Sequence, residues 1–174
     1  PPAVDAGAAT FADAAAAELL SGHLRALRNP EAGGFQRVKH NPSRTVYRGT
    51  VGGQGVYLKH YHGRSLTHRL RRLLGRSAAR REMWFSQYLS ARGVRTPPAL
   101  AAMRNGKVEW LATREVAPAQ RGDRWHAEQL ARDEGGRRAV RHACAALAEL
   151  VARMHSAGVI HHDLHCGNVL VRTD

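Results

Sequence analysis

The chain has little that could cross-link it, hold a soft metal or carry it through a bilayer. Cys144 and Cys166 are its only cysteines in 174 residues. Two thiols make no disulfide framework, so a reducing cytoplasm is the expected compartment. No apolar run approaches the roughly 18 residues that a membrane-spanning helix needs. The opening, with Ala8, Ala9 and Ala14 to Ala17, lacks the basic flank and continuous apolar core of a signal peptide. It also lacks an initiator Met: Pro1-Pro2 points to an N-terminus that is processed or longer in the native protein. Aromatics make up only 6% of the residues, and no recognisable nucleic-acid-binding motif accompanies them, so nucleic acid is not an expected partner.

Lysine and acid are scarce too. Lys39, Lys59 and Lys107 are the only lysines among 27 basic residues, and Glu82 is the only acid between Glu31 and Glu109. What is abundant is arginine. The net charge of +13 calls for a polyanionic partner, whether an anionic membrane, a phosphorylated substrate or nucleic acid. A hydrophobic fraction of 43% is enough for one core or two small lobes.

Along the chain, Phe11 to Leu27 reads as an Ala-rich helix that Asn29-Pro30 breaks. Thr45 to Val51 and Val56 to Tyr61 are β-rich runs flanking Gly52-Gly53-Gln54-Gly55, a hairpin by composition and turn chemistry. Two helices follow: Leu66 to Leu74 behind Ser65, and Ala78 to Ala91 between a Ser77 cap and Gly93. On the second, Glu82, Phe85 and Leu89 share a stripe. Val94 to Ala102 is extended, Arg104 to Lys107 turns, and Val108 to Val116 is a strand. A loop-rich linker then runs from Ala117 to Gly136. The helix predicted over Arg137 to Ser156 has a stripe of Val140, Ala143, Cys144, Leu147, Leu150, Val151 and Met154.

The chemistry concentrates in two places. Val159-Ile160 reads as an apolar strand, followed by His161-His162-Asp163-Leu164-His165-Cys166-Gly167-Asn168 and a second strand, Val169 to Val171. An Asp and an Asn five residues apart suit a phosphotransferase loop: the Asp takes the acceptor's hydroxyl proton and the Asn oxygen reaches magnesium. The rival reading is a zinc site built from His155, His161, His162, Asp163, His165 and Cys166. Consecutive ligands cannot all turn toward one tetrahedral ion, which disfavours it. The second place is Lys59, late in a strand where a long cation is an unusual choice. A compact ammonium suits a point contact with phosphate oxygens, and Glu82, on the next long helix, is the available counter-ion.

The order Lys59, Glu82, hinge, long helix and His161-x-Asp163-x4-Asn168 resembles the protein-kinase-like fold. The wording of Val56-Tyr57-Leu58-Lys59, Ser77-Ala78-Ala79-Arg80-Arg81-Glu82, Gly93-Val94-Arg95-Thr96-Pro97-Pro98 and Asp163-Leu164-His165-Cys166-Gly167-Asn168 resembles the bacterial lipopolysaccharide kinases, the Kdo/heptose kinase family, over residues 35–174. The resemblance implies an α+β, two-lobe fold: a tail or helix over 1–34, a small antiparallel-sheet N-lobe over 35–117, and the start of a helical C-lobe over 118–174. It implies ATP and Mg2+ as cofactors, Asp163 as catalytic base and Asn168 as magnesium ligand. Lys59 would contact phosphate with Glu82 as its partner, and the hinge at Thr113, Glu115 and Ala117 would hold adenine through backbone groups. His161 would pack below the loop, with Leu164 and Val169 to Val171 anchoring it to the core.

Three departures qualify the pattern. No G-x-G-x-x-G lies near His40 to Arg44; His162 stands where protein kinases commonly have Arg; and the second magnesium-binding Asp is not found before Asp174, so these residues alone are expected to turn over little or not at all. The expected activity is transfer of the ATP γ-phosphate to an inner-core sugar hydroxyl of lipopolysaccharide, in the cytoplasm at the inner-membrane face. There Arg64, Arg69, Arg71, Arg72, Arg76, Arg80 and Arg81 would attract anionic headgroups at about 1 kcal/mol each. Alternatives are a protein Ser/Thr kinase, an aminoglycoside- or choline-type small-molecule kinase, and a pseudokinase or basic binding module.

Overall fold

Gly52 and Gly53 reverse the chain between two eight-residue strands, and both sit at positive φ, +54° and +76°. That is the backbone of a two-residue turn whose twist matches the strands it joins. The computed structural model describes residues 4–6, 9–62, 77–105 and 108–173. The helix expected over Leu66 to Leu74, the five arginines from Arg64 to Arg76, the Gly106-Lys107 half of the expected turn and Asp174 lie outside them.

The chain divides into two compact units. The first comprises Pro1–Tyr88 and Thr96–Glu115. Its strands are β1 (Val4–Ala6), β2 (Ala9–Phe11), β3 (Gln36–His40), β4 (Arg44–Val51), β5 (Gln54–Tyr61), β6 (Ala99–Asn105) and β7 (Val108–Arg114). They form one seven-stranded sheet in the order β1-β2-β6-β7-β5-β4-β3, every neighbour antiparallel.

Period-2 alternation gives β5 two different faces. Val56 and Leu58 are fully buried in the larger core with Phe11, Leu20, Leu27 and Phe35. Lys59 and Tyr61 point the other way, toward helix α3 (Ala78–Ser90). The N-terminal segment, expected as a helix or tail, is helical in part and packed. Residues 9–35 are not a tail: β2 pairs with β6, and the short helices α1 (Ala14–Ser21) and α2 (Leu24–Arg28) bury Ala16, Leu20 and Leu27 in the core of the sheet. Asp13 starts α1 by accepting the Ala16 N–H at 2.8 Å, an N-cap that places Phe11 in a strand rather than in the helix.

α3 also turns differently from the expected stripe. Ala79 and Met83 are its buried residues, packed on Ala99, Ala102 and Leu111, while Phe85 is exposed. Three alanines in that contact bring the helix backbone close to the sheet. Larger side chains there would have to displace it, because interiors are packed near crystal density. The close approach is what brings the side of α3 that bears Glu82 down onto β5.

The second unit comprises Leu89–Arg95 and Val116–Asp174. The stretch expected to be loop holds a strand, β8 (Ala119–Arg121), and a helix, α4 (Gly122–Leu130). β8 pairs antiparallel with β9 (Leu170–Arg172), Gln120 opposite Val171. α5 (Glu134–Ser156) starts three residues before the expected Arg137, because the Asp133 side chain accepts the Gly135 N–H at 3.0 Å. Gly136 is buried there, and any Cβ would collide with the Gln129 carbonyl of α4. Val159 and Ile160 form no strand, and the loop ends in a 3-10 turn, Cys166–Asn168.

Candidate active site

In the first unit, Lys59 stands opposite Val46 of β4 and Leu111 of β7, so three strands fix its backbone. Its ammonium donates to Glu82 Oε1, and the Tyr61 hydroxyl donates to Glu82 Oε2. Both carboxylate oxygens are therefore held from β5, two residues apart on one face of the strand. Burial alone would raise the Glu82 carboxyl. The Lys59 charge and the hydrogen bonds from Lys59 and Tyr61 outweigh it and hold the group below the ordinary carboxylate range. Burial first, then the Glu82 charge, drives the Tyr61 phenol upward, so it stays a protonated donor. The Lys59 and Glu82 side chains remain 28% and 38% exposed, so the pair is ordered yet reachable.

Glu109, on β7, positions the helix that carries Glu82. Its buried carboxylate accepts from the Ala78 N–H at 2.7 Å, the Ser77 hydroxyl at 3.0 Å and the Ala79 N–H at 3.4 Å. A carboxylate on the free amides of a helix N-terminus satisfies orphan donors and meets the positive end of the dipole. Ser77 caps too, accepting the Arg80 N–H at 3.2 Å. Sequence reasoning found Ser77 but neither Glu109 nor Tyr61. Tyr61 was signalled, since two residues along a strand return to the same face. Glu109 gave no local signal, because it acts on a helix start more than 30 residues earlier.

Thr113 is buried in β7, between β5 and β6, opposite Tyr57 and Ala99. Glu115 is committed twice. Its N–H donates to the Gly55 carbonyl at 2.8 Å, and its carboxylate receives Arg48 at 2.9 Å. Gly55 has to lack a side chain, because a Cβ would collide with that carboxylate. Ala117 lies beyond the strand and joins Pro118 through a cis bond. On the other face of β5, His60 stacks on Trp110 at 3.9 Å between centroids. Its pKa is lowered to about 4 by burial and the neighbouring His62.

In the second unit, Asp163 and Asn168 meet. The Asn168 amide nitrogen donates to the Asp163 carbonyl at 2.8 Å and to its carboxylate at 3.1 Å. With the nitrogen turned to Asp163, the Asn168 Oδ1 is the atom left to face a cation. Hydrogen bonds, not packing, shape this loop. Asp163 N–H donates to His161 Nδ1 at 3.2 Å and Gly167 N–H to His165 Nδ1 at 3.1 Å. With Nδ1 accepting, each neutral ring carries its proton on Nε2. His161 is exposed, not packed below the loop, because its ring turns to the Asp163 amide. Leu164 and Leu170 are 41% and 45% exposed, so the expected apolar anchor is reduced to the half-buried Val169 and Val171. The Gly122 N–H holds the Val169 carbonyl at 2.8 Å, tying the end of the loop to the start of α4. Among the described residues no group of three or more His, Cys, Asp or Glu is arranged to hold a metal, as the zinc reading requires.

A solved structure, "WaaP in complex with acyl carrier protein", superposes with a TM-score of 0.66 at 23% identity, over 95% of this chain and 64% of that one. The likeness shows the kinase-like α+β fold, and this chain spans 64% of that structure's length. No curated protein sequence matches the chain. Residues 36–174, which include both the Lys59–Glu82–Tyr61 cluster and the Asp163–Asn168 loop, match the Lipopolysaccharide kinase (Kdo/WaaP) family, and the chain belongs to that family.

Proposed function

We propose that this chain carries the nucleotide-binding and proton-accepting groups of an ATP-dependent kinase that phosphorylates a sugar hydroxyl of the lipopolysaccharide inner core. The observation that carries the reading is the Lys59–Glu82–Tyr61 cluster. An exposed strand lysine elsewhere would be a solvated charge. Here a carboxylate held from two sides fixes the ammonium, leaving its remaining donors for phosphate oxygens.

The residues present fit nucleotide and metal. Asn168 turns its amide nitrogen to Asp163, which leaves Oδ1 for a cation, and an amide oxygen is the hard donor that magnesium takes. When bound, Mg-ATP supplies the phosphoryl group and the charge that neutralises its oxygens. The chain's own part is positional and acid–base. Lys59 would hold phosphate oxygens and Asn168 would offer one metal ligand; Asp163 would accept the hydroxyl proton as the sugar oxygen bonds to the γ-phosphorus and the γ-phosphorus–oxygen bond to the β-phosphate breaks, ADP leaving. At the hinge the Glu115 N–H is taken by the Gly55 carbonyl, which leaves the Glu115 carbonyl as the backbone group that would meet adenine. Such an acceptor is lipid-borne, and with ATP as donor the reaction would take place at the cytoplasmic face of the inner membrane.

The test is to incubate the full-length protein with γ-labelled ATP and deacylated lipopolysaccharide. Label is expected on the core sugar. Asp163→Asn is expected to cut transfer by about 10²-fold or more while leaving ATP affinity within a few-fold, as loss of a proton acceptor predicts. Label found only on a protein acceptor, or an Asp163→Asn variant with wild-type turnover, would overturn the reading.

A further inference from the structure

The outward face of α3 is aromatic and basic. Arg81, Trp84, Phe85 and Tyr88 are linked by three- and four-residue steps, so they share the side opposite Ala79 and Met83, with Arg80 at its edge. Trp84 is 54% exposed and Phe85 39%. The Trp84 ring stacks on Tyr88, with centroids 4.9 Å apart and planes at 23°, and meets Phe85 edge-on at 5.0 Å. A lone exposed apolar side chain needs no explanation. Two exposed rings, one of them stacked on a half-buried third, on one helix of a chain only 6% aromatic, do.

We infer that this face of α3 docks onto an anionic lipid bilayer at the headgroup level. Trp and Tyr are the residues that lodge at a membrane–water interface, each with an apolar body and a polar tip. Arg80 and Arg81, one turn before the rings, are exposed, at the place where guanidinium groups would meet lipid phosphates. Glu82, the only acidic residue of α3, faces Lys59. A convex helix face with two exposed arginines beside its rings suits a flat anionic surface.

The inference rests on the proposed function only in that the acceptor is lipid-borne. Its test uses no ATP and no acceptor, so the two can fail separately. The full-length protein is mixed with vesicles of phosphatidylcholine alone, or with about 30% phosphatidylglycerol, and bound protein is measured by flotation at low and high salt. Binding is expected to the anionic vesicles only and to weaken with salt, as surface electrostatics do. The double substitution Trp84→Ala with Phe85→Ala is expected to lower partitioning by about tenfold, given the apolar area two aromatic rings bury. Its melting temperature and its phosphorylation of deacylated acceptor are expected to stay near wild type. Arg80→Glu with Arg81→Glu is expected to abolish anionic selectivity.

Brominated acyl chains provide a second readout by quenching the fraction of Trp emission that Trp84→Phe removes. Absence of wild-type binding, unchanged binding by the Trp84/Phe85 variant, or capture of an acidic protein by this face without vesicle binding would each overturn the inference.

Discussion

A tyrosine two residues past the lysine shows what a single side chain adds. Lys59 alone could satisfy one oxygen of Glu82; the Tyr61 hydroxyl takes the other and fixes the plane of the carboxylate. A hydrogen bond to a charged group contributes about 1.5–3 kcal/mol, more than a half-exposed ion pair, which is screened and contributes roughly 0–1 kcal/mol. Tyr61 is therefore expected to position Glu82 at least as firmly as the opposite charge does. Tyr61→Phe keeps the ring and its packing against Ala79 and Leu111 while deleting the donor. The protein should still fold, with a melting temperature lower by a few degrees, about 1–2 kcal/mol. The KM for ATP is expected to rise several-fold. Unchanged ATP kinetics would mean that Tyr61 only fills space.

At the scale of elements, the position of α3 is set from outside the helix. Glu109 holds its first amides, and the alanine contact sets its height over the sheet. Glu109→Gln keeps an acceptor but loses the charge opposite the dipole; Glu109→Ala leaves the start of the helix without either. Urea unfolding is expected to show a loss of about 1 kcal/mol for the first and 2–3 kcal/mol for the second. The KM for ATP should follow the same order, because Glu82 moves with the helix. An alanine variant that loses stability but keeps its KM would show Glu109 to be a cap with no bearing on the site.

What could be read in advance divides along the same line. The β4–β5 hairpin, the Ser77 cap and the Gly93 exit were legible, since each is coded within four residues. Lys59 and Glu82 were legible as odd residue choices: a lysine among arginines, and a lone acid. The role of residues 9–35 in the core, β8 with α4, and Glu109 were not legible. Ala-rich periodicity does not separate a packed segment from a tail, Gly122 and Gly135-Gly136 mimic a linker, and a carboxylate capping a distant helix leaves no spacing to count. The anchoring of the 159–171 loop by Leu164 and Val169 to Val171 was implied by the resemblance alone, whereas hydrogen bonds from the Asp163, Gly167 and Gly122 amides hold it.

At the scale of the whole molecule, charge is the dominant unspent term. Lys and Arg number 27 against 14 Asp and Glu, leaving +13. Local pairing does not dispose of it. The Arg121–Asp123, Arg124–Glu128 and Arg153–Glu149 pairs are largely exposed, and such pairs contribute at most about 1 kcal/mol each. Two effects of salt therefore compete: it screens a few weak attractions, and it screens repulsion among many like charges within roughly 10 Å of one another. The excess of 13 positive charges decides the sign, because repulsions then outnumber attractions in the folded state. Raising sodium chloride from about 20 to about 300 mM is expected to raise the melting temperature by a few degrees, about 1 kcal/mol, in a scanning fluorimetry series. The same salt step is expected to weaken anionic-vesicle binding, so one change in ionic strength should move stability and membrane affinity in opposite directions. A melting temperature that falls with salt would mean that specific ion pairs, not the net charge, govern the electrostatics of this chain.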